Sequence, residues 1–321
     1  MNLPTLAELD AAADLVHAVI PPTPQYCWPL LSQRVGAALW VKHENHTQTG
    51  AFKLRGGLVY LDDLKHEQPG IAGVISATTG NHGQSIAHAA TRLGMKAVIV
   101  VPRGNSPEKN RAMQGFGAHL VEHGHDFQAA YEHAMAMAER ENLHPVRSFH
   151  PLLVSGVASY GLELFRAVPD LDVVYVPIGL GSGICGVIAA REALGHKTEI
   201  VGVVAANAAI YALSFAAGKP VATNSADTFA GGLAVRVPDG DALDIIRRHA
   251  TRIVTVSEAE MRAAIRIIFS DTHNVAEGAG AAPLAAALQE RDRLKGKKVA
   301  VVQSGGNIDR PLFAEILASG A

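Results

Sequence analysis

The sequence predicts an α/β protein of two doubly wound domains with mainly parallel sheets. Short apolar runs, such as Gly73-Val74-Ile75-Ser76 and residues 96–101, alternate with longer helical patterns along nearly the whole chain. This is the punctuation of parallel strands covered by helices. At 321 residues, the chain is long enough for two cores. Hydrophobic residues make up 48%, charged residues 18% and aromatics 5%, so the buried elements are aliphatic and alanine-rich.

Residues 5–19 read as an amphipathic helix stopped before Pro21-Pro22, with an extended lead-in at Pro24 and a strand at 38–43. A glycine-flanked lysine stretch leads into a helix ending near residue 65. Strands at 73–76, 96–101 and 118–122 then alternate with helices at 83–93, 107–115 and 126–142. The pattern restarts after His150-Pro151 with a helix at 152–167, a strand at 172–176, a helix at 183–194, a strand at 199–204 and a helix at 208–217. Residues 218–240 are rich in Gly, Asp, Thr and Pro and read as a loop. Helix 241–249, strand 252–256, helices 257–270 and 279–291 and strand 298–303 complete the set. With about one helix following the last strand, no appended regulatory domain is expected.

The net charge of −2, without a long basic run, argues against nucleic acid or an anionic membrane surface as a partner. Two cysteines, Cys27 and Cys185, cannot make a disulfide framework. The N-terminus lacks signal-peptide order and no apolar run reaches membrane-spanning length, so a cytoplasmic location is expected. Of 15 scattered histidines, His119, His123 and His125 come closest to a cluster and read as a strand and its turn, with no metal expected.

Four stretches carry chemistry. Lys53 stands between Phe52 and Leu54 in Gly50-Ala51-Phe52-Lys53-Leu54-Arg55-Gly56-Gly57. In a desolvated pocket its ammonium is disfavoured, which gives the free amine that a Schiff-base lysine needs; taken alone, it reads as a solvated lysine at a helix start. Residues 76–85, containing Thr78-Thr79-Gly80-Asn81-His82, join a strand to a helix start that suits an anion, or a Ser/Thr cap. Gly179-Leu180-Gly181-Ser182-Gly183 lets backbone N–H groups close around one phosphate. Its spacing is not G-x-G-x-x-G, and no acidic residue follows the next strand to hold a ribose. Ser304-Gly305-Gly306-Asn307 ends the last strand and reads either as a ligand-facing hydroxyl or as a turn. Together they supply an amine, an anion site, a phosphate cup and a neutral partner for a ring nitrogen, the inventory for pyridoxal phosphate.

In this order the four motifs resemble the serine/threonine dehydratase family of fold-type II pyridoxal-phosphate enzymes, related to serine racemase, threonine synthase and the tryptophan synthase β chain. The likeness runs nearly end to end and includes Lys109, residues 227–234 and Glu277-Gly278-Ala279-Gly280-Ala281. It implies that Lys53 anchors the cofactor and moves the α-proton. Phe52 would pack beside the cofactor, Asn81 bond its 3′-oxygen, Gly179 to Gly183 cup its phosphate, Ser304 face its ring nitrogen and Glu277 lie near the ring. Thr78, Thr79, Gly80 and His82 would line the substrate-carboxylate loop. The resemblance also implies a small mobile domain at 49–151 inserted into a large domain of 1–48 and 152–321, in a homodimer or higher homo-oligomer.

Departures from the family pattern concern the substrate more than the chemistry: Ala51 for Ser, Thr78-Thr79 for Ser-Ala or Ser-Ser, Gly278 for Pro and Gly231 for Asp. Val204 and Ile210 fall where metal-dependent relatives place acidic ligands. The expected activity is an ammonia-lyase (dehydratase) acting on a small β-hydroxy amino acid, by default L-threonine or L-serine. The alternatives are a dehydratase for a bulkier 3-hydroxy amino acid, a serine-racemase-like enzyme and a non-catalytic cofactor carrier.

Overall fold

The computed structural model describes residues 1–319. Helix α1 (Leu6–His17) starts with reciprocal capping: Thr5 Oγ1 accepts from the Glu8 N–H, and the Glu8 carboxylate accepts from the Thr5 N–H. Strand β1 (Gln25–Cys27), helix α2 (Pro29–Val35) and strand β2 (Ala38–His43) follow. Neither β1 nor α2 was expected. A three-residue strand shows no periodicity, and α2 is a two-turn helix between Pro29 at its start and left-handed Gly36 at its end. Helix α3 (Lys53–Glu67) begins directly on Lys53.

Strand β3 (Gly73–Ala77), α4 (Asn81–Arg92), β4 (Lys96–Val101), α5 (Pro107–Gly115), β5 (His119–Glu122), α6 (Phe127–Glu141) and β6 (His144–Pro145) come next. They make a four-stranded parallel sheet of order β5-β4-β3-β6. The two-residue β6 was not expected.

Helix α7 (Pro151–Ala167) leads to β7 (Val173–Pro177), α8 (Ser182–Leu194), β8 (Glu199–Ala205) and α9 (Ile210–Ala217). After the loop come α10 (Gly240–His249), β9 (Arg252–Val256), α11 (Glu258–Thr272), α12 (Gly278–Gln289), the short α13 (Arg291–Leu294), β10 (Lys298–Gln303) and α14 (Arg310–Ala318). The larger sheet has order β1-β2-β10-β7-β8-β9, and every pairing except β1–β2 is parallel. Strands β7 and β10 are apolar runs buried on both faces, as a helix-covered parallel sheet demands.

Packing brings α3 into place. Leu54, Leu58, Leu61 and Leu64 are buried, each stabilising by about 1.5–3 kcal/mol. Backbones touch where α3 crosses α7: a Cβ on Gly56 would lie 2.8 Å from the Leu153 carbonyl, and one on Gly156 only 2.4 Å from the Arg55 carbonyl. Val204 and Ile210 lie buried in the hydrophobic core. No helix among the described residues is long and apolar enough to cross a membrane.

Candidate active site

Four loops at the carboxyl ends of parallel strands meet: the one after β2 leading to Lys53, and those after β3, β7 and β10. This is the end of an α/β sheet at which ligands bind. The lysine loop is tied first to itself, with Thr47 Oγ1 donating to the Ala51 carbonyl at 2.8 Å. It is tied next to the end of β10. The Phe52 N–H donates to the Ser304 carbonyl (3.1 Å), the Gly306 N–H to the Gly50 carbonyl (2.9 Å), and Ala51 forms an antiparallel bridge with Gly305.

From that loop, Lys53 Nζ donates to Ser182 Oγ at 3.1 Å. Lys53 is half-buried, and desolvation lowers its pKa to about 8. About a tenth of the amine is therefore free at pH 7, far more than for an ordinary lysine, as the apolar neighbours in the sequence suggest.

Ser182 opens α8. Left-handed Gly181 precedes it at φ +108°, and no side chain caps the first N–H groups of the helix. These lack intrahelical acceptors and sit at the positive end of the dipole. Glycine is required at two positions of the loop: a Cβ on Gly179 would stand 2.3 Å from the Gly232 carbonyl, and one on Gly181 2.6 Å from Ala242 Cβ. Tyr211 OH donates to the Leu180 carbonyl (2.8 Å) and Tyr160 OH to that of Gly183 (3.0 Å). Phe52 packs against this cup, its ring edge-on to Tyr160 with centroids 6.1 Å apart.

Opposite lies the start of α4. Thr78 is buried, Thr79 is exposed, and the Gly80 N–H donates to Thr78 Oγ1 at 3.3 Å. The Lys109 stem covers Gly80, where a Cβ would meet its Cδ at 3.3 Å. Burial, with the Lys53 charge second, lowers the His82 pKa to about 3, so its ring is neutral. His82 Nε2 finds no partner among the described residues. Asn81 Nδ2 donates to Glu277 Oε1 at 2.8 Å. Burial raises the Glu277 pKa, against the opposing pull of Lys109 and of that hydrogen bond. Ser304 is buried at the end of β10.

The chain matches the family described as pyridoxal-phosphate-dependent enzyme over residues 16–305. The chain belongs to this family. It is 34% identical to the L-threonine ammonia-lyase of Thermotoga maritima, over 98% of this chain and 79% of that protein. The processed threonine deaminase isoform 2 of Solanum lycopersicum superposes with a TM-score of 0.90 at 29% identity, covering 99% of this chain and 95% of that one. Maize serine racemase gives 0.92 at 25% identity, covering 99% and 98%. The fold is that of the fold-type II enzymes, and the cofactor of the family is pyridoxal phosphate.

The site residues fit that cofactor. The half-buried amine of Lys53 is a carbonyl-reactive nucleophile, the uncapped glycine loop suits a phosphate, and the orphaned His82 Nε2 is a buried polar atom that a ligand can satisfy. All four sequence motifs converge here.

Sequence reading assigned no role to Asn307, which bonds Asn81, or to a buried ionic cluster behind the lysine. There Arg55, two residues after Lys53, pairs with Glu44 and Glu163, while Lys42 also pairs with Glu163; Arg55, Glu44 and Lys42 are fully buried, and the Glu163 side chain is 6% exposed. The turn motif Ser-Gly-Gly-Asn was a signal for Asn307. Nothing in the sequence joins Arg55 to Glu163.

Proposed function

We propose that this chain is an ammonia-lyase that converts a β-hydroxy amino acid, by default L-threonine or L-serine, to a 2-oxo acid and ammonia. The observation that carries this reading is the half-buried Lys53 amine, held 3.1 Å from Ser182 Oγ at the glycine-lined start of α8. The names of the threonine ammonia-lyase and threonine deaminase relatives support the substrate class.

Pyridoxal phosphate, when bound, supplies an electron sink that acidifies the α-hydrogen of an attached amino acid. The protein does the rest. N–H groups of Gly179, Leu180, Gly181, Ser182 and Gly183 would hold the phosphate. Asn81 would donate to the ring oxygen, Ser304 would offer a hydroxyl to the ring nitrogen, Phe52 would pack beside the ring and Glu277 would lie near it. Thr78, Thr79, Gly80 and His82 orient the substrate carboxylate. Lys53 is the covalent anchor and then the base at Cα. Loss of one water and uptake of another make the net change amino acid to 2-oxo acid plus ammonia.

Residues 49–151 act as a small mobile domain within 1–48 and 152–321, and the enzyme works as a homo-oligomer in the cytoplasm, where the free Cys27 and Cys185 stay reduced. The test of activity is 2-oxo-acid release from a panel of L- and D-3-hydroxy amino acids. L-threonine and L-serine are expected to turn over fastest, and no release from any member of the panel would overturn the reading.

A further inference from the structure

We infer that Asn307 is a positioning residue that sets the orientation of the Asn81 amide, and so decides which end of that amide a bound cofactor meets. The inference rests on the proposed reading in taking Asn81 as a cofactor contact.

Asn307 lies three residues past Ser304 on the loop that leaves β10. Its Nδ2 donates to the Thr49 carbonyl at 2.8 Å and to Asn81 Oδ1 at 2.8 Å. A primary amide has two N–H donors, and both are used. The Thr49 carbonyl can only accept, which fixes the end of Asn307 that faces it. Asn81 must then turn its oxygen to Asn307 and its nitrogen the other way, where Nδ2 donates to Glu277 Oε1 at 2.8 Å. Hydrogen-bond direction is therefore consistent along the row Thr49–Asn307–Asn81–Glu277, and each amide has one satisfied orientation. The Asn81 NH2 uses one hydrogen on Glu277 and keeps the second for a ligand oxygen.

The row also joins three of the four site loops. Asn307 is held on the lysine loop by the Gly306–Gly50 hydrogen bond and the Gly305–Ala51 bridge next to it. Gly50 is left-handed at φ +67°, and a Cβ there would lie 2.8 Å from Asn307 Oδ1. The lysine loop thus leaves room for this amide and no more. Without the Asn307 donors, Asn81 Oδ1 loses its partner and only the bond to Glu277 still opposes a turn of the amide, which would bring its oxygen toward the ligand, where two acceptors would face each other.

The test is a double-mutant cycle read as the dissociation constant of pyridoxal phosphate from apoprotein, by absorbance titration, with circular dichroism to verify the fold. Asn307→Ala and Asn81→Ala are each expected to weaken binding about tenfold, the scale of one net hydrogen bond. The double variant is expected to bind no more weakly than Asn81→Ala alone, because Asn307 acts through Asn81. Asn307→Asp, equal in size but without donors, should fall with the alanine variant. Losses that multiply in the double variant, or wild-type binding by Asn307→Asp, would overturn the inference while the functional reading stands. If Asn307→Ala does not fold, Asn307→Ser replaces it in the cycle with the same two outcomes. A wild-type apoprotein that takes up no cofactor would overturn the reading itself and the inference with it.

Discussion

Replacing Arg55 with methionine removes the centre of the ionic cluster beneath the catalytic helix. The guanidinium donates to Glu44 through Nε (2.6 Å) and an η nitrogen (3.0 Å), to Glu163 at 2.6 and 3.1 Å, to Ser159 Oγ at 2.9 Å and to Thr23 Oγ1 at 3.2 Å. Arg55 and Lys42 balance Glu44 and Glu163, so the variant leaves one uncompensated buried carboxylate. Breaking a buried pair in this way costs about 3–5 kcal/mol, a large share of a typical total of roughly 5–15 kcal/mol. Arg55→Lys keeps the charge and loses the fork, and should cost less than Arg55→Met.

The pH dependence follows from Glu163. Burial raises its pKa, but Arg55 and Lys42 outweigh burial and bring it down to about 2 from 4.5. Its folded pKa lies below its unfolded one, so this stabilisation is present above about pH 4.5 and is lost as pH falls toward 2. In Arg55→Met the loss should begin at higher pH. Urea unfolding from pH 3 to 8 tests both claims. A variant within about 1 kcal/mol of wild type at pH 7, with an unchanged acid limb, would refute this account of the cluster.

Three further outcomes are expected. Uptake of pyridoxal phosphate by apoprotein, followed by absorbance, should speed up as pH rises through 8 and level off above about 9, because the free Lys53 amine is the reactive form; a flat rate between pH 6 and 9 would contradict that. Activity should survive EDTA: Val204 and Ile210 offer no hard oxygen ligand, and no group of three or more candidate ligands occurs among the described residues. Loss on chelation and rescue by magnesium would refute it. Ser304→Asp places a carboxylate near the ring-nitrogen site and should lower ammonia release while raising side reactions, whereas Ser304→Ala should mainly weaken cofactor retention. Equal release by wild type and Ser304→Asp at saturating cofactor would count against a role for the neutral hydroxyl.

Much of the fold was legible because its strands are buried on both faces and its helices long, so β4, β7 and β10 announce themselves as apolar runs. Strands β1 and β6 were not, since two or three residues carry no period and depend on a neighbour's edge for their hydrogen bonds. The four site motifs were legible because each is a local glycine-rich turn at a strand end. What escaped was non-local. Arg55 reads as an ordinary basic residue in a helix until α7 brings Glu163 against it, 108 positions away. Asn307 reads as turn chemistry until the lysine loop and α4 close around it.

The central claim is that Lys53 is both cofactor anchor and base in an ammonia-lyase. The most direct measurement is 2-oxo-acid release from L-threonine and L-serine by purified wild type and Lys53→Ala, each incubated with excess pyridoxal phosphate, with circular dichroism to show that both are folded. Wild type should release 2-oxo acid, and the folded variant should be slower by at least about 10³-fold. Near-wild-type release by Lys53→Ala would contradict the account.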